Sequence, residues 1–176
     1  MPSRHKGETP SPRKMPAGRK GETPSPLCLF HRLTFTVQRE VAERMVAAPG
    51  ADAYGPLSVI VSLLGKVSAG PVVPATAFWP QPKVASRILR IDFDAASAGR
   101  LADPEVLRAL LSAAFGQRRK QVGSLLRRRD CPFDPDALAK ALDVAGIGKT
   151  SRAEEIGPSQ YLQAANALAE SGVTPP

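Results

Sequence analysis

The sequence contains few of the side chains that build catalytic and metal centres. Its 176 residues include two histidines, His5 and His31, and two cysteines, Cys28 and Cys131. Both histidines fall in or beside an N-terminal segment with no predicted structure, so a folded site has no histidine to act as a base or metal ligand. The cysteines are too far apart in sequence for a disulfide framework or a metal site. We interpret them as free thiols in a reducing compartment and predict a cytoplasmic protein.

Long apolar runs and aromatic residues are also scarce. The most apolar stretch, residues 27–35, is interrupted by His31 and Arg32. It is much shorter than the run of about 18 apolar residues that a membrane span needs, so we predict no membrane partner. The stretch also lacks a small-residue cleavage site, which argues against a secretory signal. The nine aromatic residues can anchor only a modest core.

Positive charge is concentrated near the N-terminus. The chain carries 24 Lys and Arg against 16 Asp and Glu, a formal charge of +8. Residues 1–32 hold seven of the basic side chains, two of the acidic ones and six prolines. Such a segment cannot bury enough apolar surface to offset the entropy of ordering, so we predict that it is a disordered, basic, proline-rich leader.

The leader contains the sequence Lys-Gly-Glu-Thr-Pro-Ser-Pro twice, at residues 6–12 and 20–26. Two copies are too few for a repeat fold. The repeat suits a proline-rich docking arm or a basic tether for RNA. The more common role of such a segment is a solvated tail with no specific partner, and the sequence leaves both interpretations open.

Hydrophobic spacing predicts an α/β segment over residues 33–97. Residues 33–37, 67–73 and 84–93 have the composition of strands, and neither face of the last is cleanly apolar, which favours an antiparallel or edge position. Residues 38–47 have helical spacing after the first strand, an arrangement typical of parallel sheets. Residues 57–64 fit either a helix or a buried strand.

From residue 98 onward the pattern predicts a small all-α domain of four helices. Asp103-Pro104-Glu105 and Asp134-Pro135-Asp136 each supply an N-cap, a proline at the first helical position and an acid in the first turn. Each of these helices has an apolar stripe after its N-cap, as does a last helix at 160–169. The remaining helix is predicted at residues 118–128.

The predicted helix at 118–128 carries two basic triplets, Arg118-Arg119-Lys120 and Arg127-Arg128-Arg129, and no acid. On a helix these triplets would lie about two and a half turns apart, a spacing that can follow a phosphate backbone. A solvated helix face is the alternative interpretation.

Two further motifs have competing interpretations. Residues 146–150, Gly-Ile-Gly-Lys-Thr, are similar to the end of a phosphate loop, but Asp143 stands where that motif needs a glycine, which favours a simple helix-ending turn. Phe78 and Trp79 lie in a proline-rich turn that can present an aromatic face to a stacked base. A core position is the more common role for such aromatics, and the residues alone favour it.

Five blocks resemble consecutive parts of the ribosomal RNA adenine dimethyltransferases. They lie at residues 36–45, 53–59, 78–86, 114–120 and 152–155, and include Phe-Trp-Pro-Gln-Pro-Lys-Val-Ala-Ser and Ala-Phe-Gly-Gln-Arg-Arg-Lys. The resemblance implies that residues 33–97 are the C-terminal part of a Rossmann-like S-adenosylmethionine methyltransferase domain. It implies that residues 98–176 form a helical RNA-binding domain. The implied reaction methylates two adjacent adenines of small-subunit ribosomal RNA during ribosome maturation.

The resemblance also implies roles for individual residues. Phe78 would stack on the adenine that is flipped out for methylation. Pro80 and Pro82 would shape the wall of that pocket, and Lys83 would lie near a phosphate. The full set of predicted RNA-binding residues comprises Pro80, Pro82, Lys83, Ser86, Arg118, Arg119, Lys120, Arg127, Arg128 and Arg129.

The resemblance further implies motifs that should precede Leu33, where the repeat-containing leader stands instead. These are a glycine-rich loop and an acidic residue that hold S-adenosylmethionine, and an Asn-Leu-Pro-Tyr block that orients the adenine amine. We therefore expect no complete catalytic site and no cofactor-binding or metal-binding residues, so that the chain alone binds no S-adenosylmethionine and is inactive. The expected partners are small-subunit ribosomal RNA or the small ribosomal subunit, and a separate N-terminal half.

Two alternatives to a methyltransferase remain open, a non-catalytic RNA-binding module and a gene fragment without function. If the N-terminal half is missing, residues 33–97 should expose an unpaired strand edge. We then expect poor solubility or self-association from this half, while the helical half folds.

Overall fold

A computed structural model describes residues 31–94, 96 and 99–172, so the predicted leader lies almost entirely outside the described residues. In chain order the strands and α-helices are β1 (Arg32–Gln38), α1 (Arg39–Val46), α2 (Pro56–Leu64), β2 (Gly65–Val73), β3 (Ser86–Phe93), α3 (Pro104–Phe115), α4 (Pro135–Val144) and α5 (Pro158–Glu170). Short 3₁₀ helices lie at Ala75–Ala77, Val122–Arg127 and Ala153–Glu155. The three predicted strands are confirmed, and residues 57–64, which the sequence left undecided, are helical.

The strands form one antiparallel sheet in the order β1-β3-β2. Leu89 in β3 lies opposite Phe35 of β1 on one side and Ala69 of β2 on the other. The predicted antiparallel pairing of β3 is confirmed, and β3 is the central strand rather than an edge. β1 runs directly into α1, as in a parallel sheet, but its described partner is the antiparallel β3.

The two faces of the sheet have different surroundings. Helices α1 and α2 pack on the face that carries the buried Leu89 and Ile91 of β3. The opposite face is polar, and Arg90 and Arg32 both form ion pairs there with Asp92. Their hydrogen bonds, that of Arg90 first, hold the pKa of Asp92 below its usual value. One apolar and one polar face are typical of an antiparallel sheet that is covered on one side.

Helices α3, α4 and α5 begin and bury residues largely as the sequence predicts. Asp103 and Asp134 accept hydrogen bonds from backbone amides of the first turn, and a proline follows each. These bonds satisfy amides that have no partner within the helix. The helices share a buried core with Tyr54 and with Val59 of α2. The core thus continues across the predicted boundary at residue 97, and a separate all-α domain stays a prediction.

The predicted α-helix at residues 118–128 is wrong. Residues 116–119 form turns, and a 3₁₀ helix follows at Val122–Arg127. The backbone amides of Val122 and Gly123 donate to the carbonyls of Ser151 and Lys149, both at 2.9 Å, and so leave the helical ladder. A β-branched residue, a glycine and a run of like charge all weaken helix formation here. The two basic triplets therefore do not share one α-helix.

Two buried tyrosines bond to carbonyls of residues 153 and 156, and Tyr54 thereby connects the sheet half to the helical half. The Tyr54 hydroxyl donates to the Ile156 carbonyl at 2.8 Å, and the Tyr161 hydroxyl donates to the Ala153 carbonyl at 2.9 Å. The ring of Phe115 lies between them, with centroids 6.1 Å from Tyr54 and 5.9 Å from Tyr161. Each tyrosine is 1% exposed, so its hydroxyl depends on that carbonyl for a partner.

None of the helices in the described ranges has the length and apolar character that crossing a bilayer requires.

We expect Tyr54→Phe to lower the free energy of unfolding by about 1–3 kcal/mol, because it leaves the buried Ile156 carbonyl without its donor. Chemical denaturation followed by circular dichroism measures the change. Ser171→Ala is the matched control, since it removes an exposed hydroxyl that is bonded to the carbonyl of Ala167 in its own helix. A loss for Tyr54→Phe no larger than for the control would contradict the structural role.

The same substitution should alter the alkaline stability profile. Burial raises the pKa of Tyr54 to about 12, above the value of about 10 for an unfolded tyrosine. The folded state therefore holds the proton more tightly, and the stability from the neutral phenol is complete below pH 10 and lost between pH 10 and 12. We expect the stability gap between wild type and Tyr54→Phe to narrow over that range. A constant gap would show that folding does not raise the pKa of Tyr54.

Candidate nucleic-acid interface

Phe78 and Trp79 lie on the surface, in the connection between β2 and β3. The 3₁₀ helix Ala75–Ala77 begins after Pro74 and leads directly into them. Phe78 is 37% exposed and Trp79 is 97% exposed, so the core position favoured by the residues alone is wrong. Surface aromatics in adjacent positions can stack on unpaired bases.

The rest of this connection is anchored at its base and open at its tip. Arg87 donates from Nε to the Gly70 carbonyl at 3.0 Å, and the Arg39 amide donates to the Ala85 carbonyl at 3.0 Å. Pro80 and Lys83 are exposed, whereas Pro82 and Ser86 are half-buried. Of the predicted residues here, Phe78, Pro80 and Lys83 are accessible to a ligand. Ser86 begins β3 and pairs with both outer strands.

Arg118 is held by the protein itself. Its guanidinium donates from Nε to Glu154 at 2.6 Å and from its two terminal nitrogens to the carbonyls of Asp52 and Ala51 at 2.7 and 3.2 Å. The Arg118 side chain is 36% exposed and that of Glu154 is 23% exposed. A planar guanidinium suits this fork of acceptors, which a lysine cannot reproduce. The contacts give Arg118 a structural role.

Arg128 is similarly occupied. It donates through two nitrogens to the carboxylate of Asp130, from Nε at 2.9 Å, and through a third to the Ala113 carbonyl at 3.3 Å. The hydrogen bonds from Arg128 lower the pKa of Asp130, which therefore stays ionised and neutralises the guanidinium. Arg128 thus adds little to the charge available to a ligand.

The other cations of the two triplets face solvent. Within the described ranges, no ion pair or hydrogen bond engages the side chains of Arg119, Lys120, Arg127 or Arg129, and all four are exposed. They lie in the connection between α3 and α4. The structure thus divides the six predicted cations into two that hold the fold and four that are available to phosphate groups.

Sequence reasoning missed the acceptor that determines this division. Glu154 lies in the fifth family-like block, but its pairing with Arg118 crosses 36 residues. The sequence signal for this ion pair was the presence of opposite charges, Arg118 and Glu154, in two separate family-like blocks. Trp79 was noticed, but its full exposure depends on how the loop leaves the sheet.

The described residues do not fit S-adenosylmethionine. Such a cofactor binds at the carboxyl ends of parallel strands, next to a glycine-rich turn. Here the three described strands pair only in antiparallel fashion, and no glycine-rich turn follows any of them. The described part of the chain also contains no cluster of side chains suited to a metal ion.

The exposed aromatic pair and the four solvent-facing cations form a surface whose chemistry suits RNA, and comparison with known proteins gives the family. The family model for the ribosomal RNA adenine dimethylases matches residues 27–170. The chain therefore belongs to the ribosomal RNA adenine dimethylase family.

Curated relatives are named as ribosomal RNA small subunit methyltransferase A. The protein from Anaeromyxobacter sp. (strain K) is 42% identical over 130 residues, which cover 74% of this chain and 45% of that protein. The protein from Oleidesulfovibrio alaskensis is 38% identical over 142 residues, covering 81% and 49%. The chain thus spans about half the length of the curated relatives it matches.

A solved structure supports the same fold. The crystal structure of a dimethyladenosine transferase from Plasmodium falciparum matches with a TM-score of 0.71 and 21% identity. The match covers 82% of this chain and 60% of that chain. It shows that the antiparallel sheet and the helices are arranged here as in that enzyme.

We expect Arg118→Ala to lower the free energy of unfolding by about 1–2 kcal/mol, allowing for partial solvent screening of the pair, because Glu154 and two carbonyls lose their donor. Arg119→Ala removes an adjacent exposed arginine of equal charge and should change stability by less than about 0.5 kcal/mol. Urea denaturation measures both. Equal losses from the two variants would mean that the Arg118 contacts do not stabilise the fold.

Proposed function

We propose that this chain supplies the RNA-binding side of a small-subunit ribosomal RNA adenine dimethyltransferase. Its target would be two adjacent adenines near the 3′ end of that RNA, methylated with S-adenosylmethionine as donor. The observation that carries the proposal is the pair of exposed aromatics, Phe78 and Trp79, held at one end of the sheet in a chain of this family.

The aromatic pair suits a base that has left its stack. A flipped adenine loses stacking on both faces, and an aromatic ring can replace one of them. Phe78 follows the short 3₁₀ helix and is 37% exposed, so part of its side chain is covered and part is open to a ligand. Pro80 and Pro82 restrict the backbone on the far side of Trp79. These features support Phe78 as the residue that stacks on the target base.

The free cations suit the RNA backbone. Arg119, Lys120, Arg127 and Arg129 face solvent, and Lys83 lies in the same loop as Phe78. Exposed lysine and arginine side chains attract phosphates independently of base sequence. Phosphate contacts would therefore place the RNA, and Phe78 would select an unstacked base. We assign Arg118 and Arg128 to holding this surface in place.

Methyl transfer needs groups beyond those described. The described sheet contains no parallel strand pair at which S-adenosylmethionine would bind, and no residue there is arranged to orient an adenine amine. We propose that the described residues alone do not transfer methyl groups, and that a cofactor-binding domain, which they do not form, completes the site. One long edge of β1 has no partner among the described strands, which gives such a domain a strand to pair with.

We expect Phe78→Ala to weaken binding of a single-stranded RNA containing adjacent adenines about 5- to 150-fold, the equivalent of roughly 1–3 kcal/mol of stacking. Anisotropy of labelled RNA measures the affinity. Phe78→Tyr keeps the ring and should bind like wild type. Val72→Ala removes an exposed apolar side chain from β2 and is the control outside the loop.

Trp79 provides a second readout because it is the sole tryptophan of the chain. Its fluorescence should be quenched when RNA binds beside Phe78. If Phe78→Ala binds RNA as tightly as wild type, or if RNA binds without changing the Trp79 emission, the loop is not the base-binding site.

Transfer of labelled methyl groups tests the whole proposal. We expect no incorporation from S-adenosylmethionine into unmethylated small ribosomal subunits with this chain alone. Adding the N-terminal half of a family member should restore incorporation if the chain supplies a competent RNA side. Incorporation by the chain alone would disprove the need for a further cofactor-binding domain. If the chain binds RNA but the added half restores nothing, the chain is a non-catalytic RNA-binding module.

A further inference from the structure

A surface cavity of about 640 Å³ lies in the helical half, away from the aromatic loop. Its wall combines the 3₁₀ helix after α3 with the turn that follows α4. The lining residues are Gln121, Gly123, Ser124, Leu126, Arg127, Arg128, Lys149 and Thr150. Three of them are cations and none is an acid.

The cavity exists because two backbone segments approach each other closely. The Gly123 amide donates to the Lys149 carbonyl at 2.9 Å, and a Cβ at position 123 would lie 2.7 Å from that same oxygen. Glycine is therefore required at this contact. It brings Ser124 and Lys149, which are 25 positions apart in sequence, to the wall of one cavity.

The turn after α4 gives Lys149 its position. Gly146 has a positive φ of 63°, and the Ile147 amide donates to the Leu142 carbonyl at 2.8 Å, which confirms that residues 146–150 begin as a helix-ending turn. The Ser151 amide then donates to the Gly148 carbonyl at 2.9 Å, closing a second turn around Lys149 and Thr150. The motif does not form a phosphate loop, yet it directs a lysine and a threonine to a basic cavity.

The polar groups of the wall differ in whether a ligand can reach them, and Thr150, Arg127 and Lys149 are exposed. The Ser124 hydroxyl oxygen is buried and has no hydrogen-bond partner in the part of the chain that the structure describes. An unpaired buried hydroxyl is unfavourable by about 1–3 kcal/mol. Among the described residues, the side chains of Arg127 and Lys149 also have no ion pair, whereas Arg128 is neutralised by Asp130. Two free positive charges and an exposed hydroxyl donor without an acid favour an anion with several acceptor oxygens.

We infer that this cavity binds a phosphate group, with Arg127 and Lys149 supplying charge and Thr150 supplying a hydroxyl donor. The phosphate is one from the RNA backbone, bound separately from the base at Phe78. This assignment to RNA rests on the proposed function. A free phosphate ion would present the same chemistry, so the test treats the two sources separately.

The salt dependence of RNA affinity tests whether the phosphate bound in the cavity belongs to RNA. Lys149→Gln should reduce the slope of log affinity against log salt by about one, since one phosphate contact contributes about 0.7 to 0.9. The loss of affinity should be uniform across RNA sequences. Lys140→Gln, on an exposed face of α4, makes the same chemical change outside the cavity and should leave the slope unchanged.

Thermal unfolding in sodium phosphate and in sodium chloride of equal ionic strength tests whether the cavity binds a free phosphate ion. Phosphate should raise the midpoint of the wild type and of Lys140→Gln, but not of Lys149→Gln. Thr150→Ala removes the exposed hydroxyl of the wall, so it should be about as stable as wild type in chloride and gain less from phosphate. This variant keeps the test valid even if Lys149→Gln folds poorly.

The results of these two experiments distinguish the claim that the cavity binds phosphate from the claim that this phosphate belongs to RNA. If phosphate stabilises the wild type but not Lys149→Gln, while RNA affinity is equal in Lys149→Gln and Lys140→Gln, the cavity takes free phosphate and the RNA subsite is overturned. If the wild type binds no RNA but keeps its response to phosphate, the proposed function fails and the cavity stands. If neither readout separates Lys149→Gln from Lys140→Gln, the phosphate site itself is overturned.

Discussion

The two buried tyrosine hydroxyls that bond to carbonyls of residues 153 and 156 are the constraint on which the rest of the structure depends. Tyr54 comes from the connection between α1 and α2, and Tyr161 from α5. Because both hydroxyls are buried, any packing that separated them from these carbonyls would leave polar groups unpaired in an apolar core. The 153–156 segment therefore fixes α2 and α5 relative to each other, and Phe115 of α3 fills the space between the rings.

The same segment determines which arginines remain free. Glu154 lies between the two bonded carbonyls, so its carboxylate has a fixed position, and Arg118 bonds to it. The backbone carbonyl of Glu154 also accepts from the Gly50 amide at 2.8 Å. Arg118 consequently turns back toward the chain, while the adjacent Arg119 faces solvent. Two neighbouring arginines of one motif thus have different physical roles, and the difference comes from a glutamate 36 residues away.

Local sequence signals predicted the parts of this fold that local interactions determine. Asp103 and Asp134 cap helices because each is followed by proline and then by helical apolar spacing. The helix prediction for residues 118–128 was wrong for the opposite reason, since the Val122 and Gly123 amides bond to residues 26 or more positions later. The local preference for a helix is weak there because of the valine, the glycine and the like charges, and these non-local bonds give the amides other partners. The exposure of Phe78 and Trp79 could not be predicted either, because an aromatic pair between strands has the same composition in a core and on a surface.

The candidate RNA-binding residues lie where the helices and strands end, whereas most core residues lie within them. The candidate RNA contacts lie on connections, the aromatic loop after β2 and the basic segments after α3 and α4, each anchored by backbone hydrogen bonds at its base. Loops on a fixed scaffold can change their side chains without altering the core. The proposed methyl transfer, in contrast, would require a cofactor at the end of a parallel sheet, which the described strands do not form. The proposed RNA binding and methyl transfer would therefore depend on different structural elements, and RNA binding can be measured on this chain independently of methyl transfer.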